Sequence, residues 1–329
     1  MTETFKAFVV DEQDGKVNAQ FKDITTEDLP EGEVLIKVKY SGINYKDALA
    51  TEDNNKIVRD YPMVPGIDLA GVVASSDSHA FEEGDEVIVT GFDLGISHYG
   101  GFSEYARVKE EWIVRLPKNL TLEEAMIYGT AGYTAGLAIE TLEHNGLSIE
   151  DGKVLVRGAS GGVGTLAVMM LNSIGFKVIA SSGKADAKDT LTSLGAKEVI
   201  DRISDNDSKP LGSRTWAAAI DPVGGEGLAH VLKHIDYNGS VATIGMTGGD
   251  KFTSSVFPFI LRGINVFGID SVYTKMKRRQ LIWRRLATDL KPKQLHDIKQ
   301  VISFDDIEQG IQNVLDHNNK GRIIIEFNN

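Results

Sequence analysis

The chain has 329 residues, 42% of them hydrophobic and 25% charged, with a formal net charge of −12 and no cysteine. That length exceeds one ordinary core and predicts two domains, while the acidic balance argues against nucleic-acid binding, which needs a basic field to displace counterions. The absence of cysteine removes disulfides, thiolate nucleophiles and Cys-ligated zinc together, and fits a reducing, cytoplasmic setting.

The opening "MTETFKAFVVDEQDGKV" has no basic leader and no long apolar segment, so no secretory signal is expected. No run approaches the roughly 20 apolar residues of a membrane span, and no membrane partner is expected. "FKAFVV", "EVLIKVKY", "AGVVASS", "DEVIVTG" and "SEYARV" are short β-type runs separated by Asp, Gly and Pro signals. They predict a partly open antiparallel barrel over about residues 1–120. Thr121 followed by Glu124 makes a capping box, which opens a helical pattern in "TLEEAMIYGTAGYTAGLAIETLEHNG".

From residue 153 strands and helices alternate. "KVLVRG", "FKVIASS", "KEVID", "AAAID", "SVATIG" and "NVFGID" read as strands, with helical stretches between most of them. That order predicts an α/β fold, a doubly wound parallel sheet of Rossmann type covered on both faces. The tail "QVISFDDIEQGIQNVLDHNNKGRIIIEF" reads as a turn, an amphipathic helix and a closing strand that must find partners in the barrel. The expected division is 1–120 with about 286–329 for the barrel, and 121–285 for the doubly wound domain.

Residues 154–171, "VLVRGASGGVGTLAVMML", form a strand, a glycine turn and a helix. Ala159, Gly161 and Gly164 fit the dinucleotide fingerprint with a small residue in its first place. Ser160, Gly161, Gly162 and Val163 would bring backbone amides to a pyrophosphate, and Gly164 would let the helix pack on the sheet. An NAD site commonly has a carboxylate about 20 residues further on, for the ribose hydroxyl. Here Ser181, Ser182, Gly183 and Lys184 stand at that place, with Arg202 after the next strand. Hydroxyls and cations suit a 2′-phosphate, so NADPH is the expected cofactor. The bland alternative makes Lys184 and Arg202 solvated surface charges.

"PGIDLAGVV" (65–73), "GGFSEYARV" (100–108), "GTAGYTAG" (129–136), "GASGGVG" (158–164) and "IDPVGG" (220–225) together resemble the medium-chain dehydrogenase/reductase superfamily, end to end. "NYKDAL" (44–49), "DYPMVPGID" (60–68), "FPFILRG" (257–263) and "GIDSV" (268–272) are similar to its zinc-free quinone oxidoreductase branch of the YhdH/YhfP type, which includes NADPH-dependent acrylyl-CoA reductases. The resemblance implies a GroES-like barrel as catalytic domain. It also puts Asn44 and Ile67 where zinc-dependent members hold a Cys and a His ligand. Neither an amide nor a hydrocarbon suits zinc there, so no metal is expected. His230 and His234, at i,i+4 on a helix, read as a solvated face.

The activity implied is hydride transfer from NADPH to the β-carbon of a short α,β-unsaturated acyl-CoA. A quinone is the rival acceptor, and a non-catalytic NADPH-binding protein is the reading from another class. The resemblance sets Tyr45 and Asn44 beside the nicotinamide. Tyr45 would bond cofactor or substrate, or donate the proton, and Asn44 would polarise the carbonyl. By the same resemblance Met246, Ile260 and Ser271 line the nicotinamide and ribose side. The dense basic run "TKMKRRQLIWRRL" (274–286) would meet CoA phosphates or be the wet face of a helix. "RGINVFGID" is the expected last strand of the doubly wound sheet, and the resemblance implies that its edge pairs with its twin in a homodimer, covering an otherwise exposed strand.

Overall fold

In the computed structural model, which describes residues 3–204, 209–319 and 321–328, the chain divides into two compact units. The first contains residues 1–130, 272–281 and 296–329, and the second residues 131–271 and 282–295.

The first unit opens with a hairpin of β1 (Thr4–Gln13) and β2 (Lys16–Thr25). Asp14 and Gly15 join them at φ 54° and 77°, the positive values that a two-residue hairpin turn requires. β2 was absent from the sequence reading, although the Asp-Gly signal was there. A seven-stranded sheet follows, built round β3 (Val34–Ile43). β3 pairs antiparallel with β4 (Asp68–Ser76), which pairs with β5 (Glu86–Thr90) and so leads to β7 (Ile113–Arg115). β6 (Tyr105–Val108) also pairs with β3. Val34, Ile36 and Val38 alternate inward along β3 and are fully buried with Leu69, Val87 and Val89.

The closing strand β15 (Arg322–Glu326) finds its partner in β3, antiparallel, with Ile323 opposite Ile43. The sequence reading made "QVIS" part of a turn, but it is strand β14 (Lys299–Ser303), parallel to β15. A helix, α8 (Ile307–Leu315), crosses between the two parallel strands and buries Ile307, Ile311 and Val314. Alternation is weak in β14, where Gln300 and Val301 are exposed, and this explains the missed strand.

The second unit holds six parallel strands in the order 3-2-1-4-5-6 by sequence, the doubly wound Rossmann arrangement. Across the sheet they are β10 (Glu198–Ile200), β9 (Lys177–Ser181), β8 (Lys153–Val156), β11 (Trp216–Asp221), β12 (Ile235–Thr243) and β13 (Asn265–Gly268). Val154, Leu155 and Val156 are wholly buried, as strands covered on both faces must be. Helix α3 (Gly162–Ser173) buries Leu166 through Leu171. A Cβ on Gly164 would come within 2.3 Å of the Gly158 carbonyl, so only glycine lets the helix start this close to β8.

The expected capping box is present: Glu124 N donates to Thr121 Oγ1 at 3.1 Å, and Thr121 N to Glu124 Oε2 at 3.0 Å. It starts α2 (Leu122–His144), which is broken at Gly129 with φ 47° and ψ −154°. Among the described residues, no helix is long and apolar enough to cross a membrane.

Candidate active site

In the first unit, β3 runs directly into "GINYKD", and Asn44 caps the short helix α1 (Tyr45–Leu49). Asp47 fixes this loop. Its Oδ2 accepts from the Asn44 backbone N–H at 2.8 Å, and its Oδ1 accepts from the Ile67 N–H at 2.8 Å. One carboxylate thus joins the start of α1 to "PGID".

Asp68 completes a second layer. It accepts from Asn44 Nδ2 at 2.7 Å, and from the backbone N–H and hydroxyl of Thr130 at 2.8 and 2.5 Å. The break at Gly129 brings Thr130 there: a Cβ on Gly129 would lie 2.5 Å from Asp68 Oδ2. Arg322, first residue of β15, is the cation of the group. It donates from Nη1 to Asn44 Oδ1 at 3.0 Å and from Nε to the Ile127 carbonyl at 3.2 Å, with Nη2 3.8 Å from Asp68.

The sequence reading did not single out Asp68, Thr130 or Arg322. The available signal was a charged residue opening the apolar run "RIIIEF". Asn44 was expected to polarise a substrate carbonyl, but its amide is engaged on both sides, donating to Asp47 and Asp68 and accepting from Arg322. In this structure the amide's donors and its oxygen are thus taken up within the loop and its supports. Ile67 is buried. These residues do not fit a zinc site, and among the described residues no group of three His, Cys, Asp or Glu could hold a metal ion.

Burial first, and the charge of Asp68 second, push the Asp47 carboxyl up to about 7 from its ordinary 3.8, against the N–H groups that favour its charged form. A carboxyl raised in the folded state binds its proton more tightly than the unfolded chain does. Its contribution is therefore complete below about pH 4 and lost as the pH rises through 7, with a slope of at most about 1.4 kcal/mol per pH unit. The melting temperature of the wild type is expected to fall across that window more steeply than that of Asp47→Asn. Parallel curves would show that Asp47 does not titrate there.

Tyr45 alone is exposed between Ser41 and Ala50, at 46%. Its ring stacks on the imidazole of His317, with centroids 5.7 Å apart and planes 23° apart. His317 was not singled out from the sequence either.

In the second unit the glycine turn follows β8, and Gly161 caps α3 in extended geometry. Ser160 Oγ and Ser182 Oγ share a hydrogen bond of 2.9 Å, tying the turn to the end of β9. Ser182 Oγ also accepts from the Lys184 N–H at 3.1 Å, and Ser181 Oγ donates to the Asp201 carbonyl at 3.0 Å. The guanidinium of Arg202 lies so near Gly183 that a Cβ there would be 2.7 Å from its Nε. Ser160, Ser182, Gly183, Lys184 and Arg202 thus form one cluster, with the N–H groups of Gly162 and Val163 in the first turn of the helix. The cradle fits a dinucleotide: small residues where backbone must approach phosphate, and a cation beside hydroxyls.

Met246 follows β12, Ile260 lies on α6 (Phe257–Arg262) and Ser271 follows β13; Met246 and Ile260 are strongly exposed. Missed from the sequence was the buried pair of Arg157 and Asp221, at 2.7 Å, which steadies the loop after β11. His230 and His234 stack on each other at 4.4 Å. Part of the basic run is structural. Arg279 is buried over the Phe92 ring and donates to the Thr90 carbonyl at 2.8 Å, and Arg285 pairs with Glu143 and Asp289.

A GroES-like barrel unit with a locked "NYKD" loop, and a Rossmann unit with a dinucleotide cradle, define a dehydrogenase/reductase of the medium-chain class. The chain belongs to the medium-chain dehydrogenase/reductase superfamily and is an oxidoreductase. The alcohol dehydrogenase GroES-like domain family matches residues 30–118, and the zinc-binding dehydrogenase family residues 162–287. The chain is 50% identical to YhfP of Bacillus subtilis (strain 168), named as a quinone oxidoreductase, over 99% of this chain and all of that protein. The crystal structure of YhfP with NAD bound superposes with a TM-score of 0.97. Acrylyl-CoA reductase AcuI of Ruegeria pomeroyi is 42% identical, over 98% of this chain and 99% of that protein. The yhdH oxidoreductase of Salmonella enterica in complex with NADP is 41% identical, with a TM-score of 0.95 over 98% of this chain and 99% of that one.

Proposed function

We propose that this chain is a zinc-independent, NADPH-dependent reductase of the activated C=C bond of a short α,β-unsaturated acyl-CoA. The observation that carries the reading is an exposed phenol, Tyr45, on a loop whose Asn44 and Asp47 side chains are engaged in a buried network. Likeness to an acrylyl-CoA reductase at 42% identity supports the substrate class.

The Ser160–Val163 turn would hold NADPH, with Ser182, Lys184 and Arg202 about its 2′-phosphate, and the cofactor would supply a hydride to the β-carbon. The negative charge gathers on the thioester oxygen as an enolate. Tyr45 then gives its phenolic proton to the α-carbon, and water reprotonates it, since the hydroxyl-bearing ring is open to solvent. Asn44, Asp47, Asp68 and Arg322 hold the loop and touch neither reacting carbon. Met246, Ile260 and Ser271 line the nicotinamide side in this reading.

A second reading, an NADPH:quinone reductase, is favoured by the 50% identity to YhfP. Initial rates with acryloyl-CoA and benzoquinone, each with NADPH and NADH, separate the two. Turnover of acryloyl-CoA with NADPH is expected, and Tyr45→Phe should lower kcat by about 10²-fold. Faster enzymatic turnover of benzoquinone would give the function to the rival.

A further inference from the structure

Helix α8 ends in a way that normally calls for glycine. Leu315 is its last helical residue and Asp316 its C-cap, and His317 follows at φ 56°. The His317 N–H donates to the Val314 carbonyl at 3.2 Å, and the Asn318 N–H reaches back to the Asn313 carbonyl at 2.9 Å. This is a Schellman ending with His317 in its left-handed position, where a Cβ is strained and glycine is the usual choice. A side chain held at such a position invites the question of what it contacts. Here the imidazole is solvent-facing and stacks on the exposed ring of Tyr45, so it adds little to the apolar core.

We propose that His317 is a positioning residue for Tyr45. The phenol stands on a five-residue helix, and no other aromatic ring packs on it among the described residues. Fixed backbone alone leaves an exposed tyrosine free to change rotamer. The flat imidazole face restricts it, so that the hydroxyl is presented in one direction when the acyl thioester is bound. Orientation of a reacting group to this degree is a recognised source of rate. The proposal rests on the reading of Tyr45 as proton donor given above.

The test sets backbone against ring. His317→Gly relieves the left-handed residue and removes the stack. The cofactor-free variant is expected to melt at the same temperature or higher, while its kcat with acryloyl-CoA falls about tenfold and KM for NADPH is unchanged. His317→Phe keeps a ring and should recover most of kcat. In a Tyr45→Ala background, His317→Gly should cost nothing further, because the effect passes through the phenol. Wild-type kcat in His317→Gly, an additive loss in the double variant, or an equal loss in His317→Gly and His317→Phe would each overturn the proposal. If Tyr45→Phe keeps full activity, the donor reading fails, and that result is separate from the histidine variants.

Discussion

Arg322→Leu is expected to destabilise the first unit by about 3–5 kcal/mol, a large part of the stability of any domain. Asp47 and Asp68 are 1% and 0% exposed, and Arg322 is the cation set against them. The leucine leaves Asp68 without its counter-charge and Asn44 Oδ1 without its donor. Such a change corresponds to a fall of roughly 6–20 °C in melting temperature, read by differential scanning calorimetry. Arg322→Lys should recover only part of the loss. It restores the charge, but a single ammonium does not reproduce the spread of Nε and Nη1 towards Ile127 and Asn44. An unchanged melting temperature in Arg322→Leu would mean that the two carboxyls are neutral in the folded protein.

The second large effect concerns the choice of cofactor. If the cluster at the ends of β9 and β10 holds a 2′-phosphate, Arg202→Ala removes a charge-assisted contact worth about 1.5–3 kcal/mol. KM for NADPH should then rise about 10- to 100-fold, while the constants for NADH stay where they are. Gly183→Ala is expected to act the same way more weakly, since its Cβ would displace the guanidinium. Constants that move together for both dinucleotides would show that Arg202 only packs against the loop.

The repeating chemistry of the dinucleotide unit made it the most legible part of the sequence. Of its six strands, β8, β9, β11 and β12 are each followed by a helix, and "GASGGVG" falls where strand and helix periods meet. The barrel unit was harder to read. β2 is half-exposed and rich in polar residues, so only its Asp-Gly turn betrayed it. β14 lacks a clean alternation. The site was legible at its surface and hidden beneath. Tyr45 and Asn44 belong to a motif that announces itself, whereas Asp68, Thr130 and Arg322 lie far apart along the chain and join only through folding. His317 hides for another reason: nothing in "DHNN" marks a left-handed histidine, and its partner is found only in space.

The pairing of β3 with β15 also sets an order on synthesis. The hydrogen bond between Asn44 and Arg322 joins residues 278 positions apart. While a ribosome is still adding residues, the strands of the Rossmann sheet are all emerged by Gly268, and β8 to β13 have every neighbour they need. The loop that carries Tyr45 was made much earlier, yet its buried carboxylates have no arginine until β15 follows. Over the last stretch of synthesis, after Gly268, the nascent chain therefore holds a complete set of Rossmann strands and a catalytic barrel that still lacks β14 and β15. The last strand to be made is the one that locks the "NYKD" loop.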